Sequence, residues 1–292
     1  MGANRAPGCV SVVLVSHNTI KPLRDALRAL RQLDEGLISE ILVVDNASSD
    51  GSVQMLRSEF PDVRVMHNVT NVGFGIACNQ GVEQALGDYV MLLNSDTRVQ
   101  PGAVPRLLEA LVEQPGVALV GPRLINEDGS LQRSAYRFPT PLILLLEQTN
   151  LAQYIPAVAY TAVHHGTRPA SVEWLKGACL LARRSVLRQM GPFDPRFFMY
   201  AEDIDLCLRL RKQGWDIRYV PDAVVVHLGG RSAAPYGDRM VAQFVASMYL
   251  FYVKHYGPRM LRLAHLVFGV TAAAKRLRDA MRIAQVNSPW RA

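Results

Sequence analysis

Three short apolar runs, residues 10–15 (VSVVLV), 41–44 (ILVV) and 89–93 (YVMLL), each stop at a cluster of small polar residues holding a carboxylate or an amide. They are uninterrupted and too short for core helices. Without the alternation of a half-exposed strand, they read as strands buried on both faces of a parallel sheet. Between the first two, Pro22 lies near a first helical position, and Leu23, Ala26, Leu27, Leu30 and Leu33 repeat on one helical face. Strand, helix and strand within about 35 residues make a βαβ unit, whose crossover is right-handed in nearly every case. The runs end in Ser16-His17-Asn18, in Asp45-Asn46-Ala47-Ser48-Ser49-Asp50-Gly51, and in Asn94-Ser95-Asp96-Thr97. In open α/β sheets a ligand lies beyond the carboxyl ends of the strands, so three polar ends converging there point to a site.

The rest of the chain continues the pattern. Residues 50–52 (DGS) start a short helix, residues 63–66 form a strand, and residues 71–81 (NVGFGIACNQG) enter a helix through Gly73 and Gly75. A helix over 103–113 and a strand over 117–120 follow. Glu127-Asp128-Gly129 then reads as a hairpin turn between Leu124-Ile125 and Leu131-Gln132. Residues 133–172 lack a clear pattern, and the run 142–146 (LILLL) reads as either a helix or a mobile lid. Residues 178–182 form a further strand, followed by a short basic helix. The stretch 191–214 then places Glu202, Asp203 and Asp205 at a helix start, with Arg209, Arg211 and Lys212 at its end and Gly214 beyond. Acids first and cations last suit the helix dipole, so the plain reading is a well-capped helix; the sharper one makes Asp203 a general base at a pocket mouth. Residues 216–220 and 223–227 resume the sheet, and 241–253 is an amphipathic helix. The expected fold class is α/β, a Rossmann-like, mostly parallel mixed sheet flanked by helices. One domain is expected over residues 1–255, followed by a basic amphipathic helical tail over 256–292.

The net charge of +7 is unevenly placed: residues 254–292 carry eight Lys or Arg against Asp279 alone, so the preceding residues are nearly neutral. Such local basicity argues for one electrostatic contact, an anionic membrane surface for example, and against nucleic acid as a partner. Two readings stand for the tail: a helix packed on the domain, or an interfacial helix on a membrane face. The four cysteines (9, 78, 179, 207) have no metal-ligand spacing and lie in apolar segments, as free thiols do in a reducing compartment. Residues 1–7 are polar, no secretory leader is expected, and no stretch is long and apolar enough to span a bilayer. The expectation is a cytoplasmic protein that attaches peripherally to the inner face of the cell membrane; homodimerisation stays open.

Element ends also carry the candidate chemistry. Asp96 and His227 form half of a coordination shell for Mg2+ or Mn2+, whose other positions a diphosphate would fill. Asp45, after a buried strand, is placed to accept a hydrogen bond from a nucleobase. Gly73-Phe74-Gly75 permits close backbone approach but is neither GxGxxG nor a P-loop, which argues against nicotinamide dinucleotides and kinase-type ATPases. Singly, each has an ordinary reading: a polar βα loop, a satisfied histidine, a core tryptophan at Trp174, a solvated Lys176.

Taken in order, residues 44–52 (VDNASSDGS), 71–75 (NVGFG), 93–96 (LNSD), 174–178 (WLKGA) and 198–206 (FMYAEDIDL) resemble the family 2 glycosyltransferases, in particular bacterial rhamnosyltransferases of cell-wall and O-antigen synthesis. The resemblance spans about residues 8–230. It implies a GT-A fold and metal-assisted, inverting transfer of a sugar, best guessed as L-rhamnose from dTDP-rhamnose. The implied acceptor is a hydroxyl of a glycan or polyprenyl-linked molecule. It implies a nucleotide site from Ser16, His17, Asn18, Asp45, Asn71, Gly75, Asn79, Asn94, Ser95 and Asp96. Acceptor or sugar contacts fall to Trp174, Lys176, Gly177, Tyr200 and Glu202, metal ligation to Asp96 and His227, and the role of base to Asp203. Asn94 departs from the family's first DxD aspartate, and a neutral amide makes a weaker metal ligand. Two other readings accompany this one: the same chemistry on a different UDP-, dTDP- or GDP-sugar, and a non-catalytic nucleotide-sugar-binding scaffold.

Overall fold

The computed structural model describes residues 9–33, 36–148, 168–229, 237–257, 259–260, 262–264, 266 and 269. The chain opens with β1 (Val10–Ser16), α1 (Ile20–Arg31), β2 (Ile38–Asn46), α2 (Ser52–Glu59), β3 (Arg64–Asn68), α3 (Phe74–Gln84) and β4 (Tyr89–Asn94). β5 (Thr97–Val99), α4 (Ala103–Val112), β6 (Val117–Ile125), β7 (Leu131–Gln132), β8 (Ala135–Tyr136) and α5 (Pro141–Gln148) come next. The last part holds β9 (Ala170–Ser171), β10 (Trp174–Leu175), β11 (Cys179–Arg183), α6 (Arg184–Met190), α7 (Glu202–Lys212), β12 (Asp216–His227) and α8 (Gly237–His255).

Among the described residues the main sheet runs β3-β2-β1-β4-β11-β6-β12-β5, with β7 added to β6 and β9 to β12. β3, β2, β1 and β4 are mutually parallel, β11 runs antiparallel to both its neighbours, and β6 and β12 are parallel again. This is the mixed, mostly parallel sheet expected. Ser16 pairs with Asp45 and Val15 with Asn94, so the three polar strand ends stop almost level.

Alternation along β1 divides the core. Val10, Val12 and Leu14 pack under α1, α2 and α4, while Val13 and Val15 face the layer of α3, α6 and α7. α3 can lie close on β1 because position 81 is glycine; a Cβ there would collide with Val13 Cγ1. A third apolar cluster (Phe197, Ile204, Leu208, Met248, Phe251, Tyr252) joins α7 to α8. Ionic contacts reinforce it: fully buried Asp205 lies 2.8 Å from Arg209 Nε, 2.5 Å from Lys254 Nζ and 2.7 Å from His255 Nε2. Burial alone would raise the Asp205 carboxyl, but the bonds from His255, Lys254 and Arg209 hold it below its ordinary value. Lys254, counted with the basic tail, is thus an internal ion-pair partner.

Residues 216–220 and 223–227 are one strand, β12, whose register with β6 slips between Val220 and Val224. Pro221 lies in that interval and has no N–H for the ladder, so the pairing shifts while the chain runs on. The run 142–146 is helical within α5 and buries Ile143 and Leu146. None of the four cysteines is in a disulfide, and three are buried. Tyr256 and Ala264 pack on the α7–α8 cluster, so the chain after His255 begins against the domain. Most of the expected tail, from residue 270 on, lies outside the described residues.

Candidate active site

The loops after β1 and β2 lock together. Asn18, in left-handed backbone (φ 53), donates its N–H to Ser48 Oγ (2.9 Å) and accepts at its Oδ1 from Ser49 N–H (2.8 Å). His17 Nδ1 lies 2.8 Å from the Asn46 carbonyl. Asp50 accepts from Ile20 N–H at 2.8 Å and from Ser52 N–H at 3.0 Å, so one carboxylate ties the starts of α1 and α2. A chain of hydroxyls, Ser16 to Thr19 (2.9 Å) to Ser95 (2.8 Å), links the ends of β1 and β4 beneath the surface.

Asp45 is fully buried and accepts from Ser48 N–H (3.1 Å), with His67 Nδ1 at 2.9 Å from the same Oδ2. Its Oδ1 has no partner. A buried carboxylate oxygen left unpaired costs free energy until a donor reaches it. Asn46 braces the next turn, donating to Asn71 Oδ1 (2.8 Å) and to the Gly73 carbonyl (3.2 Å). Gly73, at φ 88, lies so close to Phe198 that no side chain fits, and Phe74 N–H donates to the Phe198 carbonyl at 2.9 Å.

Two adjoining cavities open over these ends. One, of about 230 Å3, is lined by His17, Asn71, Asn94 and Ser95 from the strand-end loops and by Arg239 and Met240 from α8. The other, of about 270 Å3, is lined by Trp174, Lys176, Gly177, Tyr200, Glu202 and Asp203, with Phe244 from α8. Phe74, Asn94 and Met199 border both, so the pair forms a two-part cleft. Trp174 stacks on Tyr136 (centroids 4.5 Å apart, 15° between planes), packs on the edge of the apolar core and also forms a wall of the cleft.

Left-handed backbone at Tyr200 (φ 68) and Ala201 (φ 62) immediately precedes α7. Two consecutive non-glycine residues in that region store strain, the kind that persists where geometry at a site is over-determined. The turn aims Asp203 at Gly177, whose N–H donates to Oδ2 at 2.9 Å, while Ile204 N–H donates to Oδ1 at 2.8 Å. Burial pushes the Asp203 carboxyl above its ordinary value, with those two N–H groups and the Lys176 charge pulling the other way. Glu202 beside it is buried with an unpartnered Oε2, and burial together with the Asp203 charge holds it well above the carboxylate range. Of the two, Asp203 is the one whose charged form is favoured by two backbone N–H donors, whereas no donor reaches Glu202 Oε2. Burial lowers Lys176, partly offset by Asp203 and Asp96.

Asp96 and His227, 131 positions apart, meet because β5 and β12 pair with Thr97 opposite His227. His227 Nε2 lies 3.4 Å from Asp96 Oδ1, and both side chains are nearly buried. Asn94 Oδ1, buried nearby on the same turn, has no partner. A carboxylate, an imidazole and an unpaired amide oxygen are a donor set that suits a divalent cation. No group of three or more His, Cys, Asp or Glu with metal-site geometry occurs among the described residues. Bound phosphate or water would therefore complete the shell.

Of the expected nucleotide-site residues, His17, Asn71, Asn94 and Ser95 line the cleft, and Ser16, Asn18, Asp45, Gly75, Asn79 and Asp96 are not among its lining residues. The Asn79 carboxamide is spent on Phe193, donating to its carbonyl (2.7 Å) and accepting from its N–H (2.9 Å). Gly75 is packed under Phe193, where a Cβ would sit 3.1 Å from that side chain's Cβ. Both hold the 193–198 loop in place rather than line the cleft. Sequence reasoning did not single out Thr19, His67, Gln132 or Arg239 as site residues. Thr19, His67 and Gln132 are each held by a partner distant in sequence, Arg239 enters only as part of the cavity wall, and His67 alone carries a local signal, as the one imidazole on β3.

The sequence matches the glycosyl transferase family 2 profile over residues 11–189, more than half of the chain. The chain belongs to glycosyltransferase family 2. It is 34% identical over 255 residues, 82% of each chain, to the N-acetylglucosaminyl-diphospho-decaprenol L-rhamnosyltransferase of Mycobacterium tuberculosis. Among solved structures it resembles the mannosyltransferase PcManGT of Pyrobaculum calidifontis with GDP-Man and Mn2+, at 18% identity and a TM-score of 0.54, covering 98% of this chain and 84% of that one. It also resembles GalNAc-T7 with UDP, GalNAc and Mn2+, at 18% identity and a TM-score of 0.58, covering 77% of this chain and 44% of that one. The fold is GT-A, and the protein is a nucleotide-sugar glycosyltransferase.

Proposed function

We propose that this glycosyltransferase moves L-rhamnose, with inversion, from a dTDP-linked donor to a hydroxyl of a lipid-linked glycan, and that Asp203 is its base. The observation that carries the chemistry is the cleft itself. Asp203 lines one cavity, and Asn94, whose Oδ1 has no partner, borders both that cavity and the adjoining one, two residues before Asp96 and its neighbour His227. The choice of sugar and acceptor is supported by the 34% identity to a rhamnosyltransferase whose name specifies a diphospho-decaprenol acceptor.

The donor's base would reach Asp45 Oδ1, the buried oxygen that lacks a partner. His17, Asn71 and Ser95 would line the nucleoside, and Arg239 would add a cation beside the diphosphate. Asp96 and His227 would hold Mg2+ or Mn2+, which supplies charge neutralisation for the leaving diphosphate. Trp174 and Tyr200 would border the acceptor. Asp203 takes the proton from the acceptor hydroxyl as that oxygen bonds to the anomeric carbon, and the bond from that carbon to the diphosphate oxygen breaks on the opposite face. Gly177 and Ile204 N–H groups keep the carboxylate aimed through this step. A thermal-shift panel of dTDP-, UDP- and GDP-sugars in Mn2+, followed by turnover, tests the assignment. dTDP-rhamnose should give the largest shift, and a UDP-hexose that is both stabilising and turned over would replace it. Binding without turnover of any sugar would favour the scaffold reading.

Attachment to an anionic membrane surface is part of the same proposal. The outer face of α8 exposes Val241, Ala242, Val245, Ala246, Tyr249 and Val253 with no charge among them, and exposed Arg259 and Arg262 follow. Apolar and cationic groups in that order suit a helix lying on acidic headgroups. No helix among the described residues is long and apolar enough to cross a membrane. Flotation with phosphatidylglycerol vesicles should carry the protein upward, less so at high salt. Val241→Glu with Val245→Glu should abolish it, and unchanged flotation of that variant would remove the α8 face from the contact.

A further inference from the structure

We propose that Gln132 is a positioning residue of the reaction site, holding His227 in the tautomer whose Nε2 lone pair faces Asp96. The inference rests on Asp96 and His227 as the metal-holding pair. Gln132 is the last residue of β7, on a hairpin made rigid by its own bonds. Asn126 N–H donates to the Ser130 carbonyl at 2.8 Å, Gly129 N–H to the Asn126 carbonyl at 3.0 Å, and Asp128 Oδ1 accepts from Ser130 N–H at 2.9 Å. Gln132 Nε2 donates to Asn126 Oδ1 at 2.8 Å, so the carboxamide is gripped by the same turn.

Which end of the amide is oxygen follows from Lys176. Its Nζ lies 3.2 Å from Gln132 Oε1, and an ammonium only donates, so the atom facing it must accept. That same oxygen lies 2.5 Å from His227 Nδ1. An amide oxygen cannot donate, so Nδ1 carries the hydrogen. A neutral imidazole has one N–H, which leaves Nε2 bare, 3.4 Å from Asp96 Oδ1. Two acceptors facing each other are unfavourable alone and well arranged for a cation between them. A histidine ligand is commonly fixed in this way, by a partner on its other nitrogen. Lys176 lines the cavity that holds Asp203, so Gln132 also joins the acceptor wall to the metal pair.

The tautomer can be read without metal or turnover. Long-range 1H–15N correlation on 15N-histidine-labelled protein, with His227 assigned by its loss in His227→Gln, should show the Nδ1–H pattern. Gln132→Leu should shift His227 toward Nε2–H and weaken Mn2+ binding about 10–100-fold, read by electron paramagnetic resonance with dTDP present. Gln132→Glu keeps the acceptor facing His227 Nδ1 and should retain both the Nδ1–H signature and the Mn2+ affinity, with a drop in Tm from the lost donation to Asn126 Oδ1. An Nε2–H pattern in the unaltered protein overturns the proposal. So does unchanged Mn2+ affinity in Gln132→Leu while Asp96→Ala loses it. Unchanged affinity in both variants overturns the metal pair itself and this inference with it.

Discussion

Replacing Asp203 with asparagine is expected to lower kcat about 10²–10⁴-fold, the usual contribution of a positioned base, while leaving the donor Kd unchanged. The size follows from the proton's destination: an amide cannot take it, and the other nearby carboxylate, Glu202, is buried with an Oε2 that no donor reaches. The substitution is close in shape but not silent in hydrogen bonding. Both Asp203 oxygens accept a backbone N–H, and the asparagine NH2 must turn against one of them, so a small drop in Tm should accompany the loss of turnover. The pH profile adds a second check. Burial raises Asp203 above its ordinary value, so activity that needs the ionised base should fall on acidification sooner than for a free carboxylate. In the Asp203→Asn variant that acid limb should vanish from any residual rate. Turnover retained at the unaltered level would take the role of base away from Asp203.

Asp96→Ala is expected to act on the other half of the cleft. Removing a charged ligand should weaken Mn2+ affinity by more than the ~10–100-fold typical of an outer-shell change, and nucleoside diphosphate binding should lose its dependence on Mn2+. The other donors near the proposed cation position are weak: Asn94 offers a neutral amide oxygen, and His227 would lose the carboxylate that faces it at 3.4 Å. Calorimetric titration of dTDP with and without Mn2+ separates this from the Asp203 effect, because Asp203→Asn should bind donor normally and fail in chemistry. Metal-dependent binding that survives in Asp96→Ala would move the cation elsewhere.

Much of the frame was readable before any coordinates. Buried strands announce themselves as uninterrupted β-branched runs, and an amphipathic helix by its spacing, because both signals are local. Hence β1, β2 and β4 with their polar ends, α1 with Pro22 near its start, and the acid-first, base-last α7 fall where the residues place them. The strand-end carboxylates Asp45 and Asp96 were legible for the same reason, as polar residues interrupting apolar runs. Pairing and orientation were not. Glu202 and Asp203 are adjacent acids at one helix start. Only the left-handed turn at Tyr200 and Ala201 buries the first and presents the second to Gly177. Asp96 meets His227 through the β5–β12 ladder, and Gln132 reaches both His227 and Lys176 from a hairpin that reads as an ordinary turn. Asn79 and Gly75 show the converse: polar and permissive residues beside a motif, they are taken up by packing against Phe193. Local chemistry determines which elements form and where they end. Which side chains share a cavity depends on contacts between segments far apart in the chain, and a linear pattern carries no record of those.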